Sequence, residues 1–194
     1  MTPVKLNFKC YQGSTFSEVL RWESSKKIYK PISSISQNAP TVVVSTAHGV
    51  PDGWRIKITN VGGMKEINSS DTYYIATKLT ADTIELNAVN SIGYTAYTTG
   101  GVIEYNEPIS LTGYTARMQI REKIDSDVII KELTTENNGF TIDAINNKIT
   151  LTISATDTAL FTFGSAVYSL ELVLAGVVTP FANGTITLVR EVTR

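Results

Sequence analysis

Tyr114-Thr115-Ala116-Arg117-Met118-Gln119-Ile120-Arg121 decides the fold class. Tyr114, Ala116, Met118 and Ile120 fall on one side of an extended chain, and Thr115, Arg117, Gln119 and Arg121 on the other, the period-two pattern of a half-buried strand. The apolar side is core, and the polar side meets solvent or a partner. The same pattern puts Tyr168, Leu170, Leu172 and Leu174 on one face, with Ser169 and Glu171 opposite, and it returns over Lys148–Ile153 and Thr185–Val189. Thr is the commonest residue and Val and Ile are abundant, so an all-β chain is expected. Hairpin turns are expected at Asn137-Asn138-Gly139, Asn146-Asn147 and Ala182-Asn183-Gly184, where Asn and Gly accept positive φ. One helical turn is expected over Ala155–Leu160, capped by Ser154 with Asp157 three residues on.

The 194 residues, 42% of them hydrophobic, are enough for one large or two small domains with a real core. Seventeen basic against eighteen acidic residues leave a formal charge of −1, without the basic excess of a nucleic-acid binder. One cysteine and one histidine rule out an internal disulfide and a four-ligand structural zinc site. The start Met1-Thr2-Pro3-Val4-Lys5 has no charged n-region followed by an apolar run, so no secretory signal is expected. The apolar run Leu172–Val178 is far shorter than the roughly 20 residues of a membrane span.

Two short phrases, Lys30-Pro31-Ile32 and Glu107-Pro108-Ile109, bracket a segment of different texture. Between them run Ser- and Asn-rich Ser33–Asn38 and then short strands expected at Thr41–Ser45, Trp54–Thr59, Thr72–Leu79, Thr83–Leu86 and Gly101–Tyr105. Glycine-dependent turns fall at residues 48–53 and 61–64. So many short strands in so few residues suit a small closed barrel, which leaves no exposed strand edge. Its two ends would meet, as an insertion into a loop requires. The expected domains are therefore residues 1–32 with 107–194 as one sandwich and 37–105 as the inserted barrel, with Ile32 close to Pro108 and Trp22 in the same domain as Tyr114.

Residues His48-Gly49, Asp52-Gly53, Ile58-Thr59-Asn60-Val61-Gly62-Gly63-Met64, Ile67-Asn68, Tyr73-Tyr74-Ile75, Asp82-Thr83-Ile84-Glu85-Leu86 and Tyr97-Thr98-Thr99-Gly100-Gly101 carry a resemblance. They resemble a small β-barrel common in bacteriophage tail proteins and similar to the first catalytic cysteine half-domain of ubiquitin-activating enzymes. The likeness is to the barrel and not to a catalytic cysteine. The flanks carry a second one: Gln12–Phe16, Leu20-Arg21-Trp22, Pro108–Arg121, Ile149–Ala155, Tyr168–Leu172 and Glu191–Arg194 resemble phage virion proteins with an immunoglobulin-like sandwich, the N-terminal domain of upper-baseplate proteins among them. In that family the stretch from Trp22 to Leu111 is nearly continuous, whereas here it hosts the barrel. Past the position of Arg194, upper-baseplate proteins continue into coils or receptor-binding modules, which are not expected here, so the resemblance implies an adaptor or plug rather than a complete fibre.

The resemblance implies a virion structural protein of tail, neck or baseplate, made in the host cytoplasm and docking on other virion proteins as a homo-oligomeric ring. The N-terminal arm before Lys5 is a candidate for exchange with a neighbour. The alternatives are a carbohydrate- or receptor-binding module and a capsid decoration protein. No catalytic residue, cofactor, metal, nucleic acid or membrane is expected. His48 lies in a turn without an acid–nucleophile pattern around it, and Cys10 reads as a small buried hydrophobe. Val61-Gly62-Gly63-Met64 lacks the Lys-Ser or Lys-Thr of a phosphate loop. Asp125 and Asp127 have Ile129 and Ile130 where a calcium loop needs an oxygen ligand and a glycine. Aromatic residues dominate interfaces, so the candidate partner contacts, to protein or glycan, are Trp54, Tyr73, Tyr74, Tyr94 and Tyr97. Phe16 and Trp22 are expected in the sandwich core.

Overall fold

The computed structural model describes residues 2–191, so the last three residues of the Glu191–Arg194 resemblance lie outside it. The protein is all-β. Its strands are β1 (Val4–Lys5), β2 (Phe8–Tyr11), β3 (Phe16–Leu20), β4 (Glu23–Pro31), β5 (Ser34–Ile35), β6 (Thr41–Val44), β7 (Trp54–Gly62), β8 (Tyr74–Lys78), β9 (Thr83–Leu86) and β10 (Thr99–Pro108). They continue with β11 (Thr115–Arg121), β12 (Ile129–Thr134), β13 (Phe140–Asp143), β14 (Lys148–Ile153), the short helix α1 (Ala155–Ala159), β15 (Ser165–Leu174) and β16 (Val177–Val189). The chain forms two compact units: one holds the residues up to Arg21 and from Ser110 onward, the other Trp22–Ile109.

The first unit is a sandwich. One sheet runs β1-β16-β15-β11-β12, with β2 also lying along β16, and the other runs β13-β14-β3. Alternation drives it: Ala116, Met118 and Ile120 of β11, Ile149, Leu151 and Ile153 of β14, and Tyr168, Leu170 and Leu172 of β15 are all buried. Burial of these side chains supplies the main stabilisation, about 1.5–3 kcal/mol for each large one. Phe16 and Cys10 join this core. Helix α1 begins at Ser154, whose hydroxyl accepts the Asp157 N–H, while the same hydroxyl donates to the Asp157 carboxylate at 2.8 Å.

Glycine and asparagine pairs play three different parts here. Asn147, with φ of 49°, turns the hairpin between β13 and β14. Asn138, with φ of 61°, also turns the chain, but it carries it from one sheet to the other and makes no hairpin. Asn183-Gly184, expected as a turn, lies inside β16 instead. A Cβ at Gly184 would sit 1.8 Å from the Leu6 carbonyl oxygen, so the glycine is there for close backbone approach. The N-terminal strands pass over it, parallel to β16: Val4 pairs with Ala182 and Phe8 with Ile186. The real hairpin, β15 to β16, turns at Ala175-Gly176, both at positive φ. The arm around Lys5 thus pairs within its own chain. Tyr168 fixes it by donating its hydroxyl to Leu6 O at 2.9 Å, and burial pushes that phenol up to about 12.

The second unit is one curled sheet in the order β4-β10-β7-β8-β9-β6-β5. Its first and last strands are consecutive in the chain, so the sheet curls back on itself. At the join, Ile32 N–H donates to Gly101 O of β10 while Ser33 N–H donates to Val44 O of β6. Trp54, Ile56, Ile58, Ile84 and Ile103 fill the interior.

The boundary expected at Ile32 falls elsewhere. Glu23–Pro31, expected in the sandwich, pairs along β10, with Pro31 opposite Val102 and Glu23 opposite Pro108. Ile32 and Pro108 therefore lie at opposite ends of that ladder. Trp22, nine-tenths buried, belongs to the curled unit and not with Tyr114. The ends that meet are Trp22 and Ile109, whose N–H donates to Trp22 O at 3.0 Å. Strand β4 is hard to recognise in sequence because Glu-Ser-Ser-Lys-Lys-Ile-Tyr-Lys-Pro carries almost no apolar alternation; backbone pairing along β10 and ion pairs to Glu104 and Glu107 hold its register.

Candidate functional site

The five aromatic candidates do not form one surface. Trp54 is wholly buried, with its indole N–H donating to Asn106 O at 3.0 Å. Tyr74 packs against the core and donates its hydroxyl to Ile67 O at 2.9 Å; burial raises its pKa. Tyr94 and Tyr97 also lie against the core. The Tyr97 hydroxyl sits 2.9 Å from Gly100 O and 3.2 Å from Ile32 O, which ties the loop before β10 to the barrel join. Tyr73 alone of the five is an exposed residue.

Around Tyr73 the outer face of β4-β10-β7-β8 builds a surface. Strand alternation turns Trp54, Ile56 and Ile58 inward and Arg55 and Lys57 outward. Glu104 pairs with both Tyr29 and Lys57, and the β7–β8 register, continued one pair past Ile56, sets Tyr73 opposite Lys57. Tyr29, Glu104, Lys57 and Tyr73 thus form one row, with exposed Ile75 beside Arg55 in the next. Tyr29 is 61% exposed, more than Tyr73 at 42%, and was missed because Lys-Lys-Ile-Tyr-Lys gives no strand signal.

The charges on this face are mostly matched. Arg55 grips Glu23 with two nitrogens, at 2.9 and 2.7 Å, and Asn106 donates to the same carboxylate at 3.0 Å. Lys27 lies 3.0 Å from Glu104, which holds its ammonium charged above its ordinary pKa. Arg55 and Lys57 also sit over the Tyr73 ring, each 5.0 Å from its centroid. Such cation–π contacts contribute about 0.5–1 kcal/mol at exposed sites. No known protein-family model matches the chain, and no curated protein does either.

The titratable singletons have structural work. His48 is fully buried: its Nδ1 accepts the Val50 N–H at 2.9 Å, and its Nε2 lies 3.0 Å from Thr80 O, which fixes the proton on Nε2. Burial lowers its pKa below 6.5. Tyr105 donates to His48 O at 2.7 Å. Cys10 is buried, and burial raises its thiol pKa, the opposite of an activated nucleophile. Gly63, at φ of 80°, serves a turn in which a Cβ would lie 2.2 Å from Ala96 O. Among the described residues no three His, Cys, Asp or Glu side chains come together as metal ligands, and no helix is long and apolar enough to cross a membrane.

Proposed function

We propose that the chain is a structural component of a bacteriophage virion, an adaptor of the tail, neck or baseplate that docks in a multi-copy ring through its curled unit. The observation that carries this reading is the outer face of β4-β10-β7-β8: two exposed tyrosines and Ile75 in register, framed by paired charges. Aromatic anchors inside a polar rim are the anatomy of protein interfaces, and many copies in a ring let modest contacts sum. The likeness of both segments to phage virion proteins supplies the setting, an immunoglobulin-like sandwich hosting a tail-type barrel.

The test is mass spectrometry and cryo-electron microscopy of purified particles, with the curled unit expected at the contact between neighbours. A chain carrying Tyr29→Ala and Tyr73→Ala is expected to fold and to be missing from particles. Particles that never contain the parent chain, or that incorporate the double variant as readily, overturn the proposal.

A further inference from the structure

The outward face of the sandwich's larger sheet carries a row of polar side chains that its register brings together. Gln119 pairs with Ser169, Ser169 with Asn183, and Asn183 with Lys5. An amide, a hydroxyl, an amide and an ammonium therefore stand side by side across β11, β15, β16 and β1. At about 4.8 Å per strand the row runs roughly 14 Å. The next row adds Arg121 and Thr185, with Val167 between them. These residues floor a concavity of about 550 Å³, walled on one side by Ile124, a volume within the range of small-ligand sites.

Two features give this floor a chemistry. First, no carboxylate lines it, although Glu132, outside the lining, accepts the Gln119 amide at 2.8 Å, and neither Lys5 nor Arg121 makes an ion pair among the described residues. Arg117 next door is neutralised by Glu171 at 2.7 Å, and Lys131 by Asp157 at 2.6 Å. Arg121 is held only by neutral groups, donating to Gln119 Oε1 at 2.8 Å and to the Ser126 carbonyl. The fork is thus aimed and still able to receive an anion bidentately. Second, the Ser169 and Asn183 side chains make no hydrogen bond to any described residue, so hydrogen-bonding groups of both kinds stand ready beside the cations. Val167 and Ile124 offer apolar contact for C–H groups.

We infer that this concavity binds an acidic sugar, its carboxylate on Arg121 and its hydroxyls on Ser169, Asn183 and, at the far end of the row, Lys5. A simple anion would leave the amide–hydroxyl row unused, and a neutral sugar would leave the Arg121 fork unused. Such a ligand would seat here whether or not the chain belongs to a virion.

The test is an amide NMR titration of the whole chain with glucuronate, with glucose and acetate as separate arms. Glucuronate is expected to move the Gln119, Ser169, Asn183 and Thr185 amides together and to saturation, with neither glucose nor acetate saturating at the same concentration. Arg121→Gln is expected to weaken glucuronate about tenfold, while Arg117→Gln leaves it within about twofold. Retained spectral dispersion separates lost binding from lost folding in each variant, and Asn183→Ala, an exposed change, gives a second reading of the same row. Unmoved amides, acetate shifts as large as those of glucuronate, or undiminished binding in Arg121→Gln would each overturn the inference.

Discussion

The two units bury different things. The sandwich hides an almost wholly apolar set, with Thr158 as its one buried polar side chain among the described residues, whereas the curled unit buries Thr41, Ser45, His48 and Ser91. The short strands at the far edge of the curled sheet account for part of the contrast. The sandwich sheets are held by long ladders, ten pairs between β15 and β16 and seven between β11 and β15. Strands β5, β6 and β9 of the curled unit have two to four residues, so backbone groups at their ends need partners from side chains. Thr41 and Ser91 supply them, bonding each other at 2.8 Å and reaching Val89 O at 3.1 Å and Ser36 O at 2.7 Å. Both units rest on apolar alternation, and the curled unit adds buried polar pins.

Both tryptophans, Trp22 and Trp54, lie in the curled unit, so tryptophan fluorescence follows that unit alone and can break or sharpen the contrast. The largest effect is expected from Trp54→Phe combined with removal of bulk at Ile56, or more simply from Trp54→Ala. Trp54→Ala empties the centre of a small core and should cost about 3–5 kcal/mol. Hydrogen exchange at the β15 and β16 amides, which reads the sandwich, should change little; if those amides lose protection equally, the units do not differ in the way described.

Gly184→Ala is the matching blow to the sandwich. The new Cβ meets the Leu6 backbone first, its carbonyl oxygen at 1.8 Å, with Asn7 Oδ1 at 2.9 Å, so the chain at Leu6 must move, at an expected cost of about 1–3 kcal/mol. Loss of amide protection in Val4–Lys5 and Phe8–Tyr11 with unchanged Trp22 and Trp54 fluorescence is the outcome that fits. Wild-type protection in those strands would show that the approach is not tight.

The smallest effect is a pH dependence confined to the curled unit. His48 is kept neutral below its ordinary pKa of 6.5, so beneath that pH the unfolded chain takes up a proton that the folded chain refuses. Stability should therefore fall as pH drops from 6.5 to the depressed folded value and stay level above 6.5. A urea midpoint followed by tryptophan fluorescence measures it, and His48→Gln should flatten the slope over that window. A slope unchanged by the replacement would remove His48 as its source.

How far the sequence could be read follows the same division. Strands β11, β14 and β15 are plain in it because each has one wet and one dry face. Strand β4 is not, since Glu23, Lys27 and Tyr29 face outward and its inward side offers little more than Ile28. Asn-Gly spelled a turn at Asn138 and a crowded strand at Gly184, and the dipeptide itself cannot distinguish positive φ from a nearby carbonyl. Among the site candidates, aromatic identity was visible but its direction was not: Trp54 went to the core, and Tyr29, on an unrecognised strand, went to the surface.

The hydrogen bond between Ile109 and Trp22 gives the curled unit a single doorway. A module that leaves and re-enters the chain at one backbone contact can be exchanged for a longer or shorter one without altering the spacing of the residues on either side. In a gene this makes the codons around Trp22 and Ile109 a natural seam, at which recombination can trade one module for another while the host sheets keep their register.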